Sequence, residues 1–169
     1  MNPVEPWLRG TDTGVHPSIA ATLFAFEQAR EDLAHWTEGF TQEQMWARPH
    51  GVASLAFQMQ HIAGSVERLS TYLDARQLSD EQLRAAREEG HAAELDRAAL
   101  LDLVGKAFAN AELIMRRIDP ATLADPREVG RKRLPTTVAG LLTHLAEHTA
   151  RHVGEAIITA KLVRAAQQS

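Results

Sequence analysis

The chain has 169 residues, a length that fits one domain of ordinary size around a single hydrophobic core. Hydrophobic residues make up 44% of it and charged residues 24%, which is typical of a globular fold and argues against a disordered chain. Its 18 basic and 22 acidic side chains give a formal charge of −4, so a nucleic-acid partner is not expected. We therefore expect one domain over residues 1–169.

The N-terminal region carries no export signal that we recognise. It lacks a cationic start followed by an apolar run, and no later stretch reaches the roughly 18 apolar residues that a membrane span needs. We expect residues 1–15 to form an extended arm. We also expect a cytoplasmic protein that has no membrane partner.

The first two predicted helices lie on either side of a capping signal. Apolar residues at helical spacing predict a long helix over residues 17–40, with Pro17 suited to its first turn. The Thr-Gln-Glu-Gln sequence at residues 41–44 then predicts a capping box and a short helical turn that ends before Pro49.

The second long helix has the clearest amphipathic pattern. It is predicted to start near Ser54, and its core-facing stripe consists of Leu55, Met59, Ile62, Val66, Leu69 and Leu73. A second capping box at residues 79–82 predicts a short helix from about residue 80 to residue 89, closed by Gly90.

The last third of the chain contains two more long helices around a polar connection. The third long helix is predicted over residues 96–118. The following segment is broken by prolines and a glycine, and its basic run at residues 131–133 is expected to be a solvated loop. The last helix is predicted to open at residues 135–137 and to continue to about Arg164.

Four long amphipathic helices without a persuasive strand pattern predict an all-α protein. We expect a four-helix up-down bundle with short extra helices in its connections, and any chemical site to lie between helices. Phe57 lies on the far side of its helix from Leu55 and Met59. This second apolar surface would suit the contact of a homodimer.

Histidine is the residue type that points to chemistry. The chain has eight histidines and no cysteine, which excludes disulfides, protein thiolates and cysteine-type zinc sites. His144, His148 and His152 follow one another at steps of four in the last helix, so they share a face. The outer two lie roughly 12 Å apart along the axis, too far to share one ion, whereas an adjacent pair can.

Angular position favours His148 and His152 as the pair, because these two lie closer than His144 to the apolar stripe of their helix. We expect His144 at the rim of the site or in solvent. The alternative is an ordinary polar helix face, and the spacing alone leaves both interpretations open. A two-histidine site needs a further ligand, and His61 flanks the apolar stripe of the second long helix. A lone histidine at such a position is more often a polar surface residue or a satisfied buried one than a metal ligand.

These segments resemble the DinB-like (YfiT-like) superfamily of metal-dependent enzymes. The resemblance covers most of the chain and rests on residues 46–49, on the helix start at residues 54–61, and on the final histidine pair. It implies a four-helix bundle with a distinctive connection order, often dimeric, that holds a divalent ion through three histidines. Here these correspond to His61, His148 and His152. Zinc is the ion we expect first, with nickel, manganese and iron as alternatives.

Relatives of that superfamily include transferases and isomerases that use low-molecular-weight thiols such as bacillithiol or mycothiol, and also proteins described as hydrolases. The resemblance therefore implies a metal-dependent S-transferase or hydrolase acting on a small molecule. Three imidazole ligands would leave coordination positions open, as in catalytic zinc sites. The alternative is a non-catalytic, stress-related binding or dimerisation bundle in which the metal is structural or adventitious.

Three further residues are candidates for supporting or acid–base roles. Glu155, Gln58 and Ser65 lie within one helical turn of the expected ligands, although such side chains are also common on surfaces. Many relatives continue from the final histidine with Arg-Gly-Gln, whereas this chain has Val-Gly-Glu at residues 153–155. Arg151 lies on another face of the helix and cannot simply replace that arginine.

Overall fold

The structure is a computed structural model that describes residues 4–10, 14–89 and 95–166. These residues form six α-helices and one two-stranded sheet: α1 (Pro17–Trp36), α2 (Gln42–Trp46), α3 (Leu55–Leu73), α4 (Asp80–Glu88), α5 (Arg97–Met115), β1 (Pro126–Val129), β2 (Leu134–Thr137) and α6 (Val138–Ala166). The predicted helical bundle is confirmed, with α1, α3, α5 and α6 as its four long helices.

Capping side chains set where the helices begin. The predicted capping boxes at residues 41–44 and 79–82 are both formed, at the starts of α2 and α4. Ser54 accepts a hydrogen bond from the backbone N–H of Phe57 at 3.1 Å and so caps α3. This cap fixes the start of the helix that carries His61 about two turns further on.

The four long helices pack in the ring order α1, α6, α3, α5, so the last helix lies between the first two. The Thr22 hydroxyl donates to the carbonyl oxygen of Leu142 at 3.1 Å, and Arg164 donates to that of Trp36 at 3.1 Å. From the first contact to the second, the residue numbers increase along both helices, so α1 and α6 run in the same direction.

Helix α3 runs antiparallel to α6. Thr159 donates to the carbonyl oxygen of Ala53 at 3.1 Å, just before α3 begins, whereas His148 lies beside His61 further along. The Arg97 contact with the carbonyl of Ala34 and the stacked rings of residues 26 and 108 show that α5 is antiparallel to α1. The predicted up-down order is thereby refined to up, down, down, up.

The connection before α6 is a short β-hairpin where we expected only a solvated loop. Strands β1 and β2 pair antiparallel, with Pro126 opposite Thr137 and Val129 opposite Leu134. The basic residues 131–133 do lie in the exposed turn between them. Strands of four residues with prolines and charges carry no alternating apolar pattern, which is why periodicity missed them.

Helix ends also differ from the predictions by a few residues. Helix α1 ends at Trp36, and the hydroxyl of the next residue, Thr37, donates to the Leu33 carbonyl at 2.6 Å. Helix α5 ends at Met115 and not near residue 118, and α6 begins only after β2, so residues 135–137 belong to the strand. Gly90, the predicted closing residue of α4, lies outside the described residues.

The core sits among the four long helices. The rings of Phe26 and Phe108 are fully buried and stack 4.3 Å apart between α1 and α5. The predicted stripe of α3 is buried at five positions, namely Leu55, Met59, Ile62, Val66 and Leu73, and half-buried at Leu69. This burial fixes the rotation of α3 about its axis and thereby points His61 toward α6.

Outside the bundle, residues 4–10 contain a 3-10 turn at Pro6–Leu8, after which Arg9 pairs with Glu27 and Glu31 of α1. The described part of the chain has no helix that is both long and apolar enough to cross a membrane. Cytoplasmic localisation stays a prediction.

Candidate metal centre

Three histidines from two helices meet on the seam between α3 and α6. The ring centroid of His152 lies 4.4 Å from that of His61 and 4.5 Å from that of His148, and the remaining pair is 5.2 Å apart. One ring nitrogen of each histidine lies within 4.8 Å of the other two. The antiparallel packing of α3 on α6 is what brings residues almost ninety positions apart into one cluster.

The protonation state of this cluster suits metal binding. Burial, together with repulsion from His152, His61 and His144, lowers the pKa of His148 to about 4. Burial is also the main cause that lowers the pKa of His152, whose side chain is only 14% exposed. Both rings are therefore neutral at pH 7, which is the form that offers a lone pair to a cation.

His61 is held by the acidic residue that directly follows α4. Its Nδ1 lies 2.8 Å from Oε2 of Glu89, and because a carboxylate only accepts, Nδ1 is the donor. In the neutral ring this leaves the lone pair on Nε2. Arg68 donates to the same carboxylate at 3.1 and 3.3 Å. Burial raises the pKa of Glu89, but the hydrogen bonds from His61 and Arg68 outweigh it and hold this pKa below its usual value.

Gln58 and Glu155, two of the candidate supporting residues, lie beside His152. Its Nδ1 donates to Oε1 of Gln58 at 2.8 Å, and Nε2 of Gln58 donates in turn to Oε2 of Glu155 at 2.7 Å. Gln58 is buried, whereas the Glu155 side chain is half-exposed. The structure thus places Gln58 and Glu155 beside the cluster, while a catalytic role for either stays a prediction.

The other two candidates lie outside the cluster. The His144 side chain is 46% exposed, its Nδ1 is 2.5 Å from Oε1 of Glu147, and its ring is 5.2 Å from that of His148. It therefore sits at the rim, as expected. The hydroxyl of Ser65 donates to the backbone carbonyl of His61 within α3. This bond occupies Ser65 in the helix backbone and not in the site.

A cavity of about 490 Å³ adjoins the Gln58–Glu155 pair. It is lined by Val52, Ala53, Gln58, Arg151, Gly154, Glu155, Ile158 and Thr159. Val52 and Ile158 are exposed apolar side chains, and Arg151 and Glu155 add one charge of each sign. Arg151, which we had placed on another face of the helix, thus takes part in the wall of the cavity.

Sequence reasoning missed three residues around His61. Glu89 and Arg68 hold its Nδ1 side, and the ring of Phe57 stacks on it at 5.7 Å with an interplanar angle of 7°. Phe57 is half-buried on the side of α3 that carries His61, and the homodimer stays a prediction. No spacing in the sequence connects Glu89 with His61, so periodicity could not have found it.

The fold and the site together define a helical bundle with a possible three-histidine metal site. The family model of the DinB superfamily matches residues 25–156, a range that includes all three histidines. The chain belongs to the DinB superfamily. No curated protein matches the chain, so no relative supplies an activity.

The residues present fit a divalent ion, the group that the family resemblance implied. The donor set consists of three imidazoles, at least two of them neutral at pH 7, with ring nitrogens within 4.8 Å of one another. His61 and His152 each turn the proton-bearing Nδ1 outward to an acceptor, which leaves Nε2 for a ligand. Imidazole donors suit zinc, nickel and iron better than manganese, which prefers oxygen.

Proposed function

We propose that this protein is a divalent-metal-dependent enzyme acting on a small molecule, with His61, His148 and His152 as metal ligands. The observation that carries the proposal is the convergence of three imidazoles from two helices. A cavity of about 490 Å³ is connected to this cluster through Gln58, which lines the cavity and accepts from His152. Zinc is the expected ion. When bound, such an ion supplies a Lewis acid that makes a water or thiol nucleophilic near neutral pH.

The preferred reaction is S-transfer from a low-molecular-weight thiol to an electrophile, with hydrolysis as the second candidate. Because the chain has no cysteine, a thiol that reacts at this site has to arrive as a small molecule, and no protein thiol competes for the ion. The cavity volume lies within the range of about 300–1,000 Å³ that is common for small-molecule sites.

The protein residues have distinct parts in this proposal. Val52 and Ile158 pack against the apolar portion of the substrate, and Arg151 attracts an anionic group. Oε2 of Glu155 accepts the proton that the incoming nucleophile gives up, since this carboxylate is half-exposed and lines the cavity. Gln58 keeps His152 and Glu155 in fixed positions relative to each other.

Metal content tests the ligand assignment. Protein purified without a polyhistidine tag is expected to contain about one divalent ion per chain by elemental analysis, and His148→Ala is expected to lose it. His144→Ala is the matched control, because it removes an exposed histidine from the same helix face and should retain the ion. Unchanged metal content in His148→Ala would contradict the assignment.

Activity separates the candidate functions. Electrophiles are incubated with bacillithiol, mycothiol or glutathione, and the thiol is quantified with and without the metal-loaded protein. Metal-dependent consumption of a thiol supports S-transfer, whereas metal-dependent cleavage of esters or amides without a thiol supports hydrolysis. A metal-loaded protein inactive in both screens would instead favour the non-catalytic binding bundle.

A further inference from the structure

We propose that Glu89 is a positioning residue for His61, and that Gly64 is the position in α3 that admits its carboxylate. The proposal rests on the metal site proposed above and adds a second layer to it. It assigns a role to α4, a short helix outside the four-helix bundle core, in setting the orientation of a metal ligand.

The carboxylate of Glu89 bridges two side chains of α3. Its Oε2 accepts from His61 Nδ1 at 2.8 Å, and its Oε1 accepts from Arg68 Nη1 at 3.1 Å. The side chains of Glu89 and Arg68 are only 14% and 19% exposed, so both charges are largely shielded from water and each depends on the other. Arg68 therefore holds the Glu89 carboxylate in place, and the carboxylate in turn fixes the orientation of the His61 ring.

Gly64 explains how the carboxylate can come so close to the helix. It lies one turn after His61 and one turn before Arg68, on the same face of α3. A Cβ at this position would overlap Oε1 of Glu89 and would lie 2.8 Å from Nη1 of Arg68. Glycine is unfavourable inside a helix relative to alanine, so its presence here is accounted for by the approach of the carboxylate.

The overlap predicts a specific effect of an added methyl group. The three atoms nearest to a Cβ at residue 64 all belong to the ends of the flexible Glu89 and Arg68 side chains, not to the backbone. Gly64→Ala therefore displaces the Glu89 carboxylate and leaves α3 intact. The substitution removes the Glu89 carboxylate from His61 without changing His61, Glu89 or Arg68.

Helix α4 is attached to α3 at both of its ends. Near its start, Nε2 of Gln82 donates to the hydroxyl of Thr71 at 2.8 Å, and beyond its end Glu89 holds His61 and Arg68. The position of α4 on α3 and the orientation of the His61 ring are thus set together. Partners of this kind orient a metal-binding histidine, and their loss typically weakens metal affinity by about 10- to 100-fold.

The first test reads the His61 ring in the metal-free, full-length protein. Long-range proton–nitrogen NMR of the imidazoles distinguishes the Nδ1–H tautomer from the Nε2–H tautomer, and wild type is expected to show Nδ1–H at His61. Glu89→Ala and Gly64→Ala are both expected to lose this preference. Glu88→Ala and Gly105→Ala are matched controls, because Glu88 is exposed and nothing lies within 4 Å of a Cβ at Gly105.

The second test measures zinc affinity by competition with a chromophoric chelator. We expect affinities about 10- to 100-fold weaker for Glu89→Ala and Gly64→Ala, and unchanged affinities for both controls. Glu89→Gln keeps an acceptor oxygen and should recover part of the loss. If Glu89→Ala does not fold by circular dichroism, Glu89→Gln and Gly64→Ala decide the matter.

The outcomes separate this inference from the proposed function. An unchanged Nδ1–H tautomer in folded Glu89→Ala would overturn the role of Glu89, and an unchanged tautomer in Gly64→Ala would overturn the role of Gly64. Absence of zinc binding by wild type would contradict the proposed enzyme, but the tautomer measurement would still decide whether Glu89 positions His61.

Discussion

Nδ1 of His152 donates to the side-chain oxygen of Gln58 at 2.8 Å, across the seam between α6 and α3. This hydrogen bond determines which nitrogen of the ring is free to bind a ligand. Gln58 is only 2% exposed, so water cannot readily take the place of its amide group if the side chain is replaced. The orientation of His152 therefore depends on a contact between two helices.

Replacing Gln58 by methionine tests that dependence. Methionine has a similar volume but cannot accept the Nδ1 proton, so zinc affinity is expected to fall by roughly 10-fold, with a loss of about 1–3 kcal/mol in stability. Glu155 Oε2 lies 3.5 Å from the same nitrogen and can take over part of the role. The double variant with Glu155→Ala should accordingly bind zinc more weakly than either single variant in chelator competition, and equal affinities would contradict this account.

Metal removal is expected to destabilise the protein. The three ligands are brought together only in the folded state, so an ion at 100 times its dissociation constant should add about 2.7 kcal/mol to the free energy of unfolding. For a chain of this size that is a shift of roughly 5–10 °C in melting temperature. Thermal melts with and without zinc should show this shift for wild type and His144→Ala, and none for His148→Ala.

Asp32 gives a prediction for the pH dependence of stability. Burial raises its pKa above the usual 3.8, with Glu31 and Glu5 adding to the effect and Gln28 opposing it. The folded state thus holds the proton of Asp32 more tightly than the unfolded state does. Protonated Asp32 therefore favours folding, and this contribution to the free energy of unfolding is lost as pH rises through the pKa of the folded state. At pH 7 the charged carboxylate therefore lowers stability slightly, by at most about 1 kcal/mol, because the group is only partly buried and solvent screens its charge.

Asp32→Asn should remove that penalty. We expect the variant to be more stable than wild type at pH 7 and the difference to shrink as pH falls toward 3.8. Urea unfolding at several pH values measures it, and Glu38→Gln, which neutralises an exposed acid near the end of the same helix, serves as the control. A difference that grows on acidification would have the wrong sign.

The stacked rings of the core predict a large effect on stability that leaves the metal site unchanged. Phe26 is fully buried against Phe108 between α1 and α5, whereas the histidines lie between α3 and α6. Phe26→Ala is expected to cost about 3–5 kcal/mol, and Phe26→Leu clearly less. Chemical unfolding gives the values, and metal content of folded Phe26→Leu should match wild type.

Contacts between residues close together in the sequence could be predicted, whereas contacts between residues far apart in the sequence could not. The pairing of His148 with His152 was predictable, because spacing of four within one helix fixes their geometry. The meeting of His61 with that pair depends on which helices are neighbours, which periodicity does not reveal, and here only the family resemblance pointed to it. Capping boxes were located well for the same reason as the histidine pair, since each is formed within four residues.

The residues that were missed are those whose roles depend on tertiary contacts. Glu89 reaches His61 from the residue after α4, and no spacing in the sequence connects them. Phe57 was assigned to an outer face from its angle alone, which did not reveal that its ring stacks on that of His61. The hairpin before α6 was not predicted because its strands are too short to show an alternation of apolar and polar residues.

The ring order of the helices has a consequence for synthesis on the ribosome. Because α6 lies between α1 and α3 and carries two of the three histidines, a nascent chain that ends before it has neither a closed core nor a ligand pair. Translation proceeds at about 5–20 residues per second, so the earlier helices wait seconds for their last neighbour. An ion held by the three histidines could therefore not guide the early steps of folding, and its binding would follow the assembly of the bundle.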